Sequence, residues 1–432
     1  MKKSLWAKSL NVIPGGNTLI SKRPNLWLPK TWPSHFIKAD GIQVTSVDKK
    51  IYKDFLFAVG TNTLGYSNKE VNRAVVNAIK NGNMSSLNCH EEYLLAEKLV
   101  DINKWADMVK FTRGGGEAMS IAARIARAAS GKENIAFCGY HGWHDWYVSS
   151  NLGKKKVLDD YVMTGIKSDG VPESLRNTIF PFKYNDLERL KILIQHNDVG
   201  TIIMEVKRNI DPENNFLEKV RKLCNQKNIV LVFDECSSGF RQNYGGLHQD
   251  YNVIPDIVMY GKAIGNGFAI AAIVGKRAVM ECANNSFISS SFWGERVGFV
   301  AALKTLEIMK KTKSYNIIKK NGKYIISQLK KIAKENNVEI DIIGIPSIPT
   351  FVFKNLKNNL FYKTLIAQEM IKKNMLCSTI FFLSSKHKIK DLDDYLFELN
   401  NVFKIISKCE KGERIKKYLK HSVVDSTFKR LN

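Results

Sequence analysis

Val230-Leu231-Val232-Phe233-Asp234-Glu235 leads into Ser238-Gly239-Phe240-Arg241. Four apolar residues in a row, with no polar alternation, predict a fully buried strand rather than one with a wet face. It delivers two acids at its carboxyl end, where open α/β sheets place their ligands. An acid there can pair with a cation, either a metal ion or a protonated ring nitrogen. It can equally be a strand-end pair without a role.

The surrounding chain repeats that layout. Strands are predicted at 108–111, 135–137, 201–205 and 257–259, and helices at 118–129, 186–195 and 216–227. Such alternation predicts an α/β fold with a mostly parallel sheet and helices on both faces. Upstream, residues 36–55 read as short strands joined by turns, and 69–80 and 91–101 carry helical periodicity. From about Phe299 the pattern changes to long amphipathic helices with few strands, closing in a lysine-rich helical tail. The expected organisation is a large domain over 56–310 and a smaller α+β domain built from both chain ends, 1–55 and 311–432.

Composition narrows the classes. With 432 residues, 44% hydrophobic and 10% aromatic, the chain can bury two cores and is expected to be an ordinary soluble globule. No apolar run approaches the roughly 20 residues of a membrane helix. Met1-Lys2-Lys3-Ser4-Leu5-Trp6 lacks the apolar core of a signal peptide, so a cytoplasmic location is expected. Seven scattered cysteines without a CxxC pair argue against a disulfide framework or a zinc ribbon. The formal net charge of +25 would attract anions. Its lysine pairs, such as Lys319-Lys320 and Lys330-Lys331, sit among apolar residues at helical spacing, the pattern of a solvated helix face. No nucleic-acid motif accompanies them, and neither a nucleic acid nor a membrane is an expected partner.

Three further segments carry candidate chemistry. Arg113-Gly114-Gly115-Gly116-Glu117 joins a strand to a small-residue helix. Its backbone N–H groups and the helix N-terminus suit a phosphate, although glycines at such turns also serve packing alone. The segment matches neither a dinucleotide fingerprint nor a Walker loop. Tyr140-His141-Gly142-Trp143-His144 follows the next strand. Its histidine pair lacks further ligands at zinc spacing, whereas Tyr140 could cover a flat heterocycle, and a hydrophobic plug is the plain alternative. Tyr260-Gly261-Lys262-Ala263-Ile264-Gly265-Asn266-Gly267 puts a lysine directly after a buried strand. A desolvated lysine loses its proton readily and forms imines. Pyridoxal 5′-phosphate needs a phosphate cup, an aromatic over its ring, an acid for its pyridine nitrogen and a lysine for its aldehyde. The chain presents them in that order.

These segments, with Ile13-Pro14-Gly15-Gly16, Leu64-Gly65-Tyr66 and Ser290-Ser291-Phe292-Trp293-Gly294-Glu295-Arg296, resemble class III aminotransferases of pyridoxal-phosphate fold type I. The resemblance is close to glutamate-1-semialdehyde 2,1-aminomutase and its aminotransferase relatives. It runs nearly end to end, and the 28-residue step from Asp234 to Lys262 is its most specific part. It implies that Lys262 binds the cofactor as a Schiff base and shuttles the proton, while Asp234 pairs with the pyridinium nitrogen. It further implies Tyr140 on one ring face, Cys236 on the other, and Gly115 and Gly116 amides at the phosphate. Ser291 matches a hydroxyl given to the neighbouring subunit's phosphate, which implies a homodimer with composite sites.

Departures from the family pattern bear on activity. Gly114-Gly115-Gly116 replaces a Ser-Gly-Thr cup, which removes two hydroxyl donors. Cys236 stands for Val or Ile, and Glu205-Val206 for Glu-Pro. The arginine expected to bind a substrate carboxylate falls on Lys22, with Arg23 beside it, and lysine does not reproduce a bidentate guanidinium. These features favour an aminotransferase, taking nitrogen from a donor such as glutamate to a small carbonyl acceptor of surface-polysaccharide or modified-sugar metabolism. The aminomutase is the alternative enzyme, and a catalytically retired regulator or scaffold the alternative from another class. The lysine context does not favour a decarboxylase.

Overall fold

The computed structural model describes residues 4–153, 156–162 and 165–425, leaving aside the side chains of residues 160 and 161. Residues 1–3 and 426–432, the ends of the expected smaller domain, lie outside the described residues. The chain divides into two compact units, residues 69–316 and, from both chain ends, residues up to 68 with those from 317. The first division falls at 68/69 rather than the expected 55/56 because residues 57–66 fold back on the strands before them. Tyr66 donates from its hydroxyl to buried Asp54 at 2.7 Å, stacks on Phe57 at 4.8 Å and pairs its backbone with Gly41. The second falls at 316/317 rather than 310/311, inside the first turn of the helix Ser314–Glu335.

The N-terminal part of the smaller unit is an antiparallel meander of β1 (Phe36–Asp40), β2 (Gln43–Ser46) and β3 (Ile51–Asp54).

In residues 69–316 the strands are β4 (Met108–Thr112), β5 (Asn134–Cys138), β6 (Ile179–Pro181), β7 (Val199–Met204), β8 (Val230–Asp234), β9 (Ile257–Tyr260) and β10 (Ala271–Gly275). They form one sheet in the order β4-β10-β9-β8-β7-β5-β6. Pairing is parallel from β9 through to β6, and β10 runs antiparallel to both β9 and β4. Every residue of β7, β8, β9 and β10 is buried, as a sheet covered on both faces requires. The helix Gly115–Ser130 turns Ala118, Ala122, Ala123 and Ala126 into the same core as Ile203, Val232 and Ile273. Small side chains bring its axis close to the strands. The register sets Cys138 level with Met204, Met204 with Phe233, and Asp234 with Met259. The loops leaving β5, β7, β8 and β9 therefore emerge side by side on one edge. Two reversals across β10 return β4 to that same direction.

The C-terminal part adds the long helix Ser314–Glu335, the hairpin β11 (Ile340–Ile343) and β12 (Thr350–Phe353), the helix Asn359–Lys372, strand β13 (Met375–Leu376) and the helix Ile389–Glu410. Strand β13 completes the first sheet by pairing in parallel with β3. Among the described residues the expected helical tail is not a helix. Gly412, at φ +109°, follows the last regular turns, and among the described residues only the 3-10 turn Ile415–Lys417 comes after it. The chain then runs as a strap whose amides at Lys420 and Val424 donate to the buried side chains of Gln368 (2.6 Å) and Thr364 (3.0 Å). Among the described residues no helix is long and apolar enough to cross a membrane.

Candidate active site

Strand β8 ends in Asp234, Glu235 follows it directly, and the two carboxylates find different partners. Glu235 faces inward, where it accepts hydrogen bonds from the Leu247 and His248 amides, the His248 ring and the Ser238 hydroxyl. That acid is consumed by the scaffold. Asp234, 5% exposed, accepts the Cys236 amide at 3.0 Å on one oxygen and meets His141 Nδ1 at 2.9 Å on the other. The second ring nitrogen of His141 lies 3.1 Å from the Cys138 carbonyl, so both ring nitrogens face acceptors and the imidazole is fixed behind the carboxylate.

Strand β9 ends at Tyr260, and the chain passes through Gly261 into the 3-10 turn Lys262–Gly265. Lys262 has φ +45°, a left-handed conformation that costs a non-glycine residue about 1 kcal/mol or more and gathers at functional sites. Its Nζ donates to the Ser237 hydroxyl at 2.7 Å. Cys236 sits against two glycines. A Cβ on Gly115 would stand 2.8 Å from its sulfur, and one on Gly261 3.0 Å away. Cys236 of the β8 loop thus lies against both the glycine cup and the entry to the lysine turn.

The cup is the first turn of the helix Gly115–Ser130, with Gly114 as its N-cap. Glu117 reaches back to accept the amides of Gly114 (3.0 Å) and Arg113 (3.2 Å). Those of Gly115 and Gly116 head the helix, where the dipole favours an anion. Gly142 presses on the cup from the β5 loop. It has φ +107°, and a Cβ there would stand 2.9 Å from Gly116 Cα. Tyr140, half-buried in the same loop, meets Tyr147 edge-on at 6.1 Å. His144 lies over Gly116, so His141 and His144 serve different neighbours rather than one metal.

Ser291 opens the turn Ser291–Gly294 and is exposed. Arg113 ties this turn to the cup by donating to the carbonyls of Phe292 (2.7 Å) and Trp293 (2.8 Å). Lys22 and Arg23 belong to the smaller unit. Lys22 is exposed at the end of the turn Ile20–Lys22, while Arg23 lays its guanidinium on Gly15. Sequence reasoning did not single out Arg113, Ser237 or the pairing of His141 with Asp234. Only the H-x-x-H spacing drew notice to His141.

Residues 30–372 match the family model for class-III aminotransferases. The chain belongs to the class III aminotransferase family. It is 34% identical over 406 residues to a 3-aminobutyryl-CoA aminotransferase of Cloacimonas acidaminovorans, covering 90% of this chain and 93% of that one. To a glutamate-1-semialdehyde 2,1-aminomutase of Methanobrevibacter smithii it is 32% identical, covering 90% and 95%. The fold is similar to that of the FumI protein of Sphingopyxis sp. MTA144 in its PLP internal aldimine form, with TM-score 0.85, 24% identity and coverage of 95% and 97%. It is also similar to an omega-transaminase from Sphaerobacter thermophilus, with TM-score 0.82, 21% identity and coverage of 94% and 97%. This class III aminotransferase is therefore a pyridoxal-phosphate enzyme of fold type I, and it moves amino groups. The residues fit the cofactor. The loop edge holds an amine, a buried carboxylate and a glycine-floored helix start.

Proposed function

We propose that this enzyme is an intermolecular aminotransferase that takes nitrogen from glutamate and passes it to an anionic carbonyl acceptor. When bound, pyridoxal 5′-phosphate supplies an aldehyde that condenses with amines and a ring that withdraws electrons from the substrate carbon. In this reading Lys262 holds the cofactor and moves the proton at the nitrogen-bearing carbon. Ser237 supports its Nζ. Asp234, oriented by His141, pairs with the ring nitrogen and keeps its proton on, since an opposite charge at contact favours the charged form. Gly115 and Gly116 offer amides to the phosphate, and Tyr140 and Cys236 flank the ring.

The observation that carries transfer over mutation is at Lys22. It stands exposed at the position where the resemblance expects the aminomutase arginine, and the adjacent Arg23 lies against Gly15. A mutase must retain its intermediate, and a lysine holds a carboxylate less firmly than a guanidinium fork. The charge of +25 suits an anionic acceptor, from surface-polysaccharide or modified-sugar metabolism. The relative named for 3-aminobutyryl-CoA points likewise to an anion. A homodimer is part of the proposal, with Ser291 offered to the partner subunit's phosphate. The exposed Met84, Leu87, Phe287 and Phe292 lie on two segments joined through Asn83, and a second copy would cover them. We place the enzyme in the cytoplasm, where seven free cysteines stay reduced.

The test is a spectral titration. Glutamate alone should change the absorbance of the bound cofactor and release one 2-oxoglutarate per site. Lys262→Ala should abolish the yellow colour of the lysine-bound cofactor. Asp234→Ala should retain the cofactor yet slow the half-reaction by about a hundredfold or more. A spectrum unmoved by glutamate and other donors, with glutamate-1-semialdehyde converted to 5-aminolevulinate, would establish the aminomutase instead.

A further inference from the structure

The cup Gly114-Gly115-Gly116 carries no side-chain hydroxyl, and the structure sets an imidazole beside it. His144 leans over Gly116 so closely that a Cβ on that glycine would stand 3.3 Å from both Nδ1 and Cε1 of the imidazole. A serine or threonine at 116 would press on this ring and on Trp143 Cδ1, also 3.3 Å away, and one of them would have to shift. Trp143 stacks on the ring at 4.1 Å and 25° and holds it there. Gly142, without a side chain, lets the loop approach the helix start at all. Nδ1 of His144 is buried and has no hydrogen-bond partner among the described residues. A buried polar nitrogen left unpaired costs about 1–3 kcal/mol, so it marks a place where a partner is expected.

We propose that His144 Nδ1 is a phosphate donor of this enzyme, replacing the missing cup hydroxyl at position 116. The proposal rests on the pyridoxal-phosphate reading and extends it to a residue outside the usual cup. An N–H on Nδ1 directed at the helix start adds to the amides of Gly115 and Gly116 and to the positive end of the helix. The charged groups facing the ring are Glu117, on that helix, and Asp145, next in the chain. Both are acidic and both favour a protonated ring, while burial, the largest influence, works against it. A bound phosphate dianion adds to the acidic side, so cofactor binding and protonation of His144 reinforce each other. The capping Glu117 also brings negative charge to the mouth of the cup. A further donor there offsets the repulsion.

The experiment measures affinity rather than turnover. Apoprotein is titrated with pyridoxal 5′-phosphate and, separately, with pyridoxal, which lacks the phosphate. His144→Ala should weaken pyridoxal phosphate about 10- to 100-fold, the worth of one hydrogen bond to a charged group, and leave pyridoxal within about twofold. His144→Gln, which keeps an N–H donor and much of the volume, should lose less. Adding Gly116→Thr to His144→Ala restores a hydroxyl in the vacated space and should recover most of the affinity. Equal losses for the two ligands would make His144 a packing residue and overturn the proposal, as would no loss for either. Failure of the unsubstituted protein to bind pyridoxal phosphate would instead refute the cofactor reading, so the two failures are distinguishable.

Discussion

Buried His387 shows how one side chain sets an acid limit on the smaller unit. Its Nε2 donates to the Asp54 carbonyl at 3.2 Å, and Nδ1 accepts the Ser384 amide at 3.1 Å, which fixes the neutral ring. Burial is the main cause of a pKa lowered from 6.5 to about 4. Because the folded pKa is depressed, the neutral ring's contribution is complete above pH 6.5. It is lost progressively as pH falls towards 4, at up to about 1.4 kcal/mol per pH unit. The Asp54 carboxyl, raised chiefly by its own burial, opposes part of this loss. His387→Gln should therefore give a flatter urea-stability profile between pH 6.5 and 4 than the unsubstituted enzyme. Parallel profiles would assign the acid sensitivity elsewhere. At this scale the sequence disclosed the residues that carry a motif. Asp234, Lys262 and the cup glycines could be proposed from the sequence because an acid, a lysine and glycines follow successive strands in the order the cofactor needs. The meeting of His141 with Asp234 could not, since the two stand 93 residues apart and only the pairing of β5, β7 and β8 brings them together.

Among elements, long apolar runs such as β7, β8 and β9 were readable in the chain. Strands β6 and β10 were not. β6 is three residues ending in proline, and β10 begins with two alanines, which have weak strand preference and are strands here by burial alone. The alternating pattern also could not show that β10 reverses direction. Helices were readable wherever their apolar face was periodic, but not their closest approaches. The helix Ser314–Glu335 passes the Pro346 carbonyl so tightly that a Cβ on Gly322 would stand 1.5 Å from its oxygen. Gly322→Ala, ordinarily favourable in a helix, should here lower stability by about 2 kcal/mol or more, because backbone must move to admit it. A chemical denaturation midpoint equal to or above that of the parent would contradict this contact.

At the scale of the whole molecule, Arg113 links the cup to the turn that begins with Ser291, so the proposed partner-facing surface and the cofactor site share one side chain. Phe287→Asp combined with Phe292→Asp should yield monomers by sedimentation, with cofactor occupancy reduced about tenfold at micromolar protein. Fully active, cofactor-loaded monomers would rule out composite sites. The boundaries of the two compact units differ from the expected domain boundaries, because contacts such as Tyr66 with Asp54 depend on a turn the sequence does not announce.

The pairing of β3 with β13 has a consequence in time. Lys53 sits opposite Met375, about 320 residues later in the chain. At a synthesis rate of about 5–20 residues per second, β3 leaves the ribosome roughly 15 to 65 s before its neighbour exists. Through that interval the meander carries Tyr52 and Phe55 without the C-terminal residues that bury them, while residues 69–316 can already be folding. The nascent chain thus displays an open strand edge for most of its own synthesis, the condition under which chaperones bind. Ribosome-stalled chains halted before residue 375 should be protease-sensitive in their first 68 residues and resistant across the large sheet.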